Sequence, residues 1–120
     1  MDWTLYPDFR EHEFRCRHCG VAAMKPEFLE RLQALRTAYG KPMSISSGYR
    51  CPEHPIEKAK AQPGMHATGL AADVAVSGAE AVAVLRLAMA QGFTGIGVQQ
   101  KGTGRCIHLD TRTEPTIWSY

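Results

Sequence analysis

The apolar positions of the chain fall into two helical stretches and several short alternating runs. Phe28, Leu32, Leu35 and Tyr39 recur at the spacing of one helical face, so a core-facing helix is predicted from Pro26 onward. Proline suits the first helical position, and Gly40 with Pro42 end the element. Met43 to Ser46 alternates and reads as a short strand running into Ser47-Gly48-Tyr49-Arg50. Residues 51 to 65 carry three prolines and Gly64, which predicts a loop. Residues 70 to 76 read as a buried strand, and Ser77 with Glu80 has the form of a capping box. The helix that follows, over about 78 to 91, is apolar nearly all round and is expected to be largely buried. Residues 96 to 99 and 106 to 110 read as two final strands around a glycine-rich turn at 102 to 104. The first 24 residues are irregular, and Trp3, Tyr6, Phe9 and Phe14 are expected to pin them to the core. The predicted architecture is α+β: one domain over residues 1–120, with a short, mostly antiparallel sheet against two main helices.

Composition narrows the possible partners. With 120 residues, 44% of them hydrophobic, the chain can build one modest core. Its 14 Lys+Arg against 12 Asp+Glu leave a net charge of +2 with no basic run, which argues against a dedicated nucleic-acid binder. No stretch approaches the roughly 18 apolar residues that span a bilayer, so no membrane insertion is expected. The N-terminus lacks the charged and apolar regions of a secretory signal, so synthesis in the cytoplasm is expected.

Five histidines and four cysteines raise the question of metal. His66 and Asp73 flank a Gly69-containing turn and a run of small residues, and His108 sits on a predicted strand between Ile107 and Leu109. A histidine on an apolar strand is commonly a satisfied core residue. Two histidines and a carboxylate from separate elements also form the three-ligand set of a catalytic zinc. A buried Asp73 needs a partner in either case. Separately, Cys16-x-x-Cys19 and Cys51-x-x-His54 are two half-sites that could close a structural zinc; free thiols or a disulfide are the alternatives. Cys106 is expected to be a buried thiol beside the site.

Three segments taken together, Ser47-Gly48-Tyr49-Arg50, His66-x-x-Gly-x-Ala-x-Asp73 and Ile107-His108-Leu109-Asp110-x-Arg112, resemble the zinc D-Ala-D-Ala carboxypeptidase family. That group includes bacterial cell-wall peptidases and phage endolysins, and shares its fold with the Hedgehog signalling domain. The resemblance runs from about Phe14 to Trp118. It implies one catalytic Zn2+ on His66, Asp73 and His108, with Arg50 gripping a carboxylate or carbonyl of a peptidoglycan stem peptide. It also implies hydrolysis at a D-Ala-containing bond, as carboxypeptidase or endopeptidase. A monomer is expected, acting on the cell wall or in the periplasm once released or delivered.

One position departs from the pattern. The family carries an acid three residues before the last histidine ligand, where this chain has Arg105. Asp110 shares a strand face with His108, and could either orient that histidine or replace the missing base. Glu53 and Glu57 are weaker candidates for the base. The departure keeps a second reading open, a zinc-bearing binding module without catalysis on the same scaffold. A zinc-ribbon nucleic-acid binder built on the cysteines would be a third, and the near-neutral charge argues against it.

Overall fold

A computed structural model describes all 120 residues, and the elements follow from the pattern with informative shifts. Helix α1 spans Pro26–Tyr39, with proline in its first turn and Gly40 in the left-handed conformation at its end. Phe28, Leu29, Leu32 and Leu35 are fully buried. Strand β1 is Ile45–Ser47, displaced toward the Ser-Gly-Tyr-Arg segment relative to the predicted run. The next strand, β2, is Ala71–Val74, shorter than the predicted 70 to 76. The expected loop at 51 to 65 contains a single helical turn, α2 (Pro55–Lys58), and is followed by a 3-10 turn over Met65–Thr68.

Helix α3 covers Gly78–Ala90, and two expectations fail on it. Ser77 makes no side-chain cap. Glu80 instead accepts hydrogen bonds from Tyr39 Oη and Lys41 Nζ, because a carboxylate gains more from a cation and a hydroxyl than from one backbone amide. Nor is the helix largely buried. Ala81, Val84 and Ala88 face the core, while Val82 and Met89 are 54% and 64% exposed. Only one layer of helix covers the sheet, so the outer face of α3 has nothing to pack against.

Strands β3 (Gly95–Gln99) and β4 (Cys106–Asp110) are joined by the predicted turn. A fifth strand, β5 (Thr116–Ser119), has no counterpart among the predicted elements. The sheet order is β1-β2-β4-β3-β5, with every pairing antiparallel except β3 with β5. The result is the expected α+β domain. No helix is long and apolar enough to cross a membrane.

Period-two alternation divides the sheet's faces. Ala72, Val74, Ile96, Ile107 and Leu109 join the helices in the core, together with Tyr6, Phe9 and Phe14 of the N-terminal segment. The other face carries Asp73, His108 and Asp110. The early aromatics thus pin the irregular segment, as expected, with Trp3 packed partly buried against the same core.

Candidate metal centre and cleft

Register brings the predicted metal ligands together. β2 and β4 pair so that Asp73 stands directly opposite His108. His66 arrives from the 3-10 turn that precedes β2, and Gly69 closes that turn at φ 76°. All three residues are buried. Their ligating atoms lie within 4.8 Å of one another. Asp73 Oδ1 is 3.0 Å from His108 Nδ1 and 3.3 Å from His66 Nε2, and the two ring nitrogens are 3.1 Å apart.

The remaining ring nitrogens are tied down. His66 Nδ1–H donates to the Gly48 carbonyl at 2.7 Å, and His108 Nε2–H donates to Asp110 Oδ2 at 2.7 Å. Each neutral ring thereby turns a lone pair inward. Two lone pairs and a carboxylate oxygen converging with no donor between them make a site suited to a divalent cation. Without one, a proton must occupy the gap. Burial lowers the affinity of His108 for that proton, but Asp110 and Asp73 outweigh it and raise its pKa. Burial likewise opposes ionisation of Asp73, yet its contacts with His108 and His66 hold it well below the usual carboxylate range.

Asp110 is fully buried behind His108. Its Oδ1 accepts from Arg112 N–H and Nε, both at 3.0 Å, and its Oδ2 accepts from Arg112 Nη2 at 2.6 Å as well as from His108. Both oxygens are engaged by Arg112 and His108, and neither is left to face the cleft. Two glycines make room for this arrangement. A Cβ on Gly95 would collide with the Asp110 carboxylate, and one on Gly97 would lie 2.8 Å from the Trp118 ring. Trp118, on β5, packs at a tilt against His108 with ring centroids 5.0 Å apart, and the Arg112 guanidinium lies 4.5 Å from the Trp118 ring centre.

Arg50 stands at the mouth of the site. Its Nε donates to Ser47 Oγ at 3.1 Å, Nη1 to Glu57 Oε2 at 3.4 Å and Nη2 to Asp73 Oδ2 at 3.4 Å. A guanidinium has five N–H donors, so two remain for a ligand. Glu57 is buried beneath it and also accepts from Lys60 Nζ at 2.9 Å and from Gly64 N–H at 2.7 Å. It is a support for Arg50, which its polar neighbours in sequence gave no reason to expect.

The cleft extends to both sides of these residues. One cavity of about 750 Å³ and another of about 490 Å³ share Arg50, Ile56, Asp73 and Cys106 as walls. The larger is bordered by Arg15, Arg17 and Arg50, the smaller by Lys60 and Arg112, and among carboxylates only Glu13 and Asp73 line them. Arg105 is exposed and donates from Nε to the Gly102 carbonyl, away from the metal ligands. Glu53 is an exposed partner of Lys58. Cys106 lies beside the site but is half-buried rather than buried as expected; desolvation together with the Asp73 charge pushes its thiol up to about 11, so it is neutral at pH 7.

The cysteine half-sites assemble only in part. Cys16, Cys19 and Cys51 bring their sulfurs within 4.8 Å of one another, with no disulfide among them. His54 is outside that group. Its Nδ1 accepts the Ile56 N–H at 3.1 Å and caps α2. A comparison with curated proteins returns no match. A family model described as Peptidase M15 does match, over residues 7–110, a span that contains α1, the Arg50 segment, His66, Asp73 and His108. The match covers nearly the whole described fold, and the chain therefore belongs to the peptidase M15 family, zinc-dependent metallopeptidases of the D-Ala-D-Ala carboxypeptidase type.

Proposed function

We propose that the protein hydrolyses peptidoglycan stem peptides at a D-Ala-containing bond, with zinc held by His66, Asp73 and His108. The observation that carries this reading is the inward convergence of His66 Nε2, His108 Nδ1 and Asp73 Oδ1, while the outer nitrogens are fixed by Gly48 and Asp110. Zinc bound there would polarise a scissile carbonyl and lower the pKa of a bound water toward roughly 7. The chain's own residues do the rest. Arg50 directs its two unused N–H groups at a substrate carboxylate or carbonyl, and Glu57 with Ser47 fixes the plane of its guanidinium. The cationic borders of both cavities favour a peptide that carries carboxylates. Asp110 and Arg112 hold the His108 ring, and Trp118 covers its side.

A second reading, a metal-bearing module that binds stem peptides without cutting them, rests on one observation. The carboxylates lining the cleft are Glu13 and Asp73; Asp73 is a weak base in its low-pKa environment, and Glu13 Oε1 accepts the Arg10 N–H. Incubation of the zinc-loaded protein with purified peptidoglycan, followed by mass spectrometry, separates the two. Fragments that require both zinc and His108, with none from His108→Ala, are expected, and their masses name the bond. Retention of stem peptides by a folded, metallated protein that releases no fragments would replace the peptidase with the binding module.

A further inference from the structure

A second convergence of ligating side chains lies outside the His66–Asp73–His108 cluster. The sulfurs of Cys16, Cys19 and Cys51 come from two segments that the backbone already joins. Cys16 N–H donates to the Val21 carbonyl at 2.8 Å, and Gly20 N–H donates to the Cys16 carbonyl at 2.7 Å. These bonds close a tight turn that sets Cys19 beside Cys16, and Gly20 takes the φ of 77° that the turn demands. Tyr49 N–H donates to the Phe14 carbonyl at 3.0 Å and lays the segment carrying Cys51 alongside. The Cys16 sulfur then receives two backbone N–H groups, from Cys51 at 3.3 Å and His18 at 3.4 Å. A neutral thiol is a weak acceptor; donors collected on one sulfur are the surroundings of a thiolate bound to metal.

We propose that Cys16, Cys19 and Cys51 bind a second zinc ion as thiolates, clamping the turn at residues 16–20 to the segment that carries Arg50. Three soft sulfur ligands select zinc over magnesium, calcium or manganese. Binding converts three thiols to thiolates and releases their protons to solvent. His54 does not complete the set. Its Nδ1 lone pair is used by the Ile56 N–H, so the neutral ring carries its proton on Nε2 and has no second lone pair to offer. Cys16 forms part of the wall of the large cavity, from which a water would supply the fourth ligand. The clamp is adjacent in sequence to Arg50, so it fixes the backbone from which that guanidinium reaches Glu57 and Asp73.

Cobalt substitution tests the site without recourse to activity. Only a sulfur-ligated Co2+ gives a near-ultraviolet thiolate-to-metal charge-transfer band, and the histidine–aspartate cluster contains no sulfur. In reduced His66→Ala protein the band should appear, saturate at one equivalent of Co2+ and disappear on addition of one equivalent of Zn2+. Cys51→Ser and the exposed Cys19→Ser should each abolish it, and His54→Ala should keep it. Amide hydrogen exchange at residues 49–51 should accelerate in zinc-loaded Cys19→Ser relative to the parent. The proposal is overturned by absence of the band in both the parent and His66→Ala proteins, by its survival in Cys51→Ser, or by its loss in His54→Ala. A disulfide among these cysteines in freshly isolated protein, or unchanged exchange at 49–51, would also overturn it.

Discussion

Asp110→Asn separates orientation from proton transfer, because the change keeps shape and removes charge. The aspartate accepts from four donor groups, three on Arg112 and one on His108. An asparagine has one oxygen and an NH2 group, so in either rotamer it presents donors to a donor. With its oxygen toward His108 it repels Arg112; flipped, it repels the His108 N–H. Breaking a buried charged pair costs about 3–5 kcal/mol. The Arg112 side chain is 30% exposed and recovers some hydration, which places the loss near the lower figure, about 3 kcal/mol. At roughly 2.1 cal/mol/K of unfolding entropy per residue, that corresponds to a Tm lower by about 12 °C for a domain of this size. Loss of the His108 brace should also weaken zinc binding by about 10–100-fold. Chelator competition and thermal unfolding measure both. Unchanged zinc affinity and Tm, with activity abolished, would refute the orienting role and restore Asp110 as a proton acceptor.

Three other outcomes follow from the same geometry. Glu57→Gln removes the anion under Arg50, and kcat/KM on stem peptide should fall by roughly tenfold, the effect of one charged hydrogen bond, with zinc stoichiometry unchanged; a loss of zinc instead would assign Glu57 to the metal centre. Gly95→Ala drives a methyl into the Asp110 carboxylate between strands paired on both sides, and urea unfolding should show a loss of about 1–3 kcal/mol, which an unchanged midpoint would contradict. The metal-free protein should be most stable between about pH 4.5 and 6.5. Asp73 and Asp110 have lowered pKa values, so their stabilisation is complete above the ordinary carboxylate range and is lost as the pH falls through the lower folded values. His108 has a raised pKa, so its contribution is complete below the ordinary histidine value and is lost as the pH rises through the folded one. Zinc should flatten this alkaline decline in a pH series of thermal melts.

Sequence and structure agree most closely where one element carries its own signals. α1 has an apolar stripe, a proline at its start and a glycine at its end, and all of these survive in the fold. β5 has none of them. It is a four-residue edge strand whose Ile117 is 67% exposed, so no buried face marks it, yet it brings Trp118 onto His108. α2 was hidden by the same prolines that predicted a loop. Pro55 begins the turn, and His54, read as half of a metal site, is its cap. Glu57 lies on the segment predicted as a loop, and its burial depends on Arg50, Lys60 and the Gly64 amide, which no local pattern brings together.

The proposed metal ligands are a different case, because their types and order are local while their convergence is a matter of strand register. A slip of one residue in β2 would turn Asp73 toward the helices and Val74 toward the cleft. The restraint against that slip comes from the opposite face, where Ala72 and Val74 stand across from Leu109 and Ile107 and are buried with them. Ala72 joins the core on the helix side of β2, and Gly95 and Gly97 clear the opposite face above β3 for Asp110 and Trp118. The apolar face thus sets the register, and the register places Asp73 against His108. Substitutions that loosen Val74 or Ile107 should therefore weaken the metal site before they unfold the domain, although neither residue touches it.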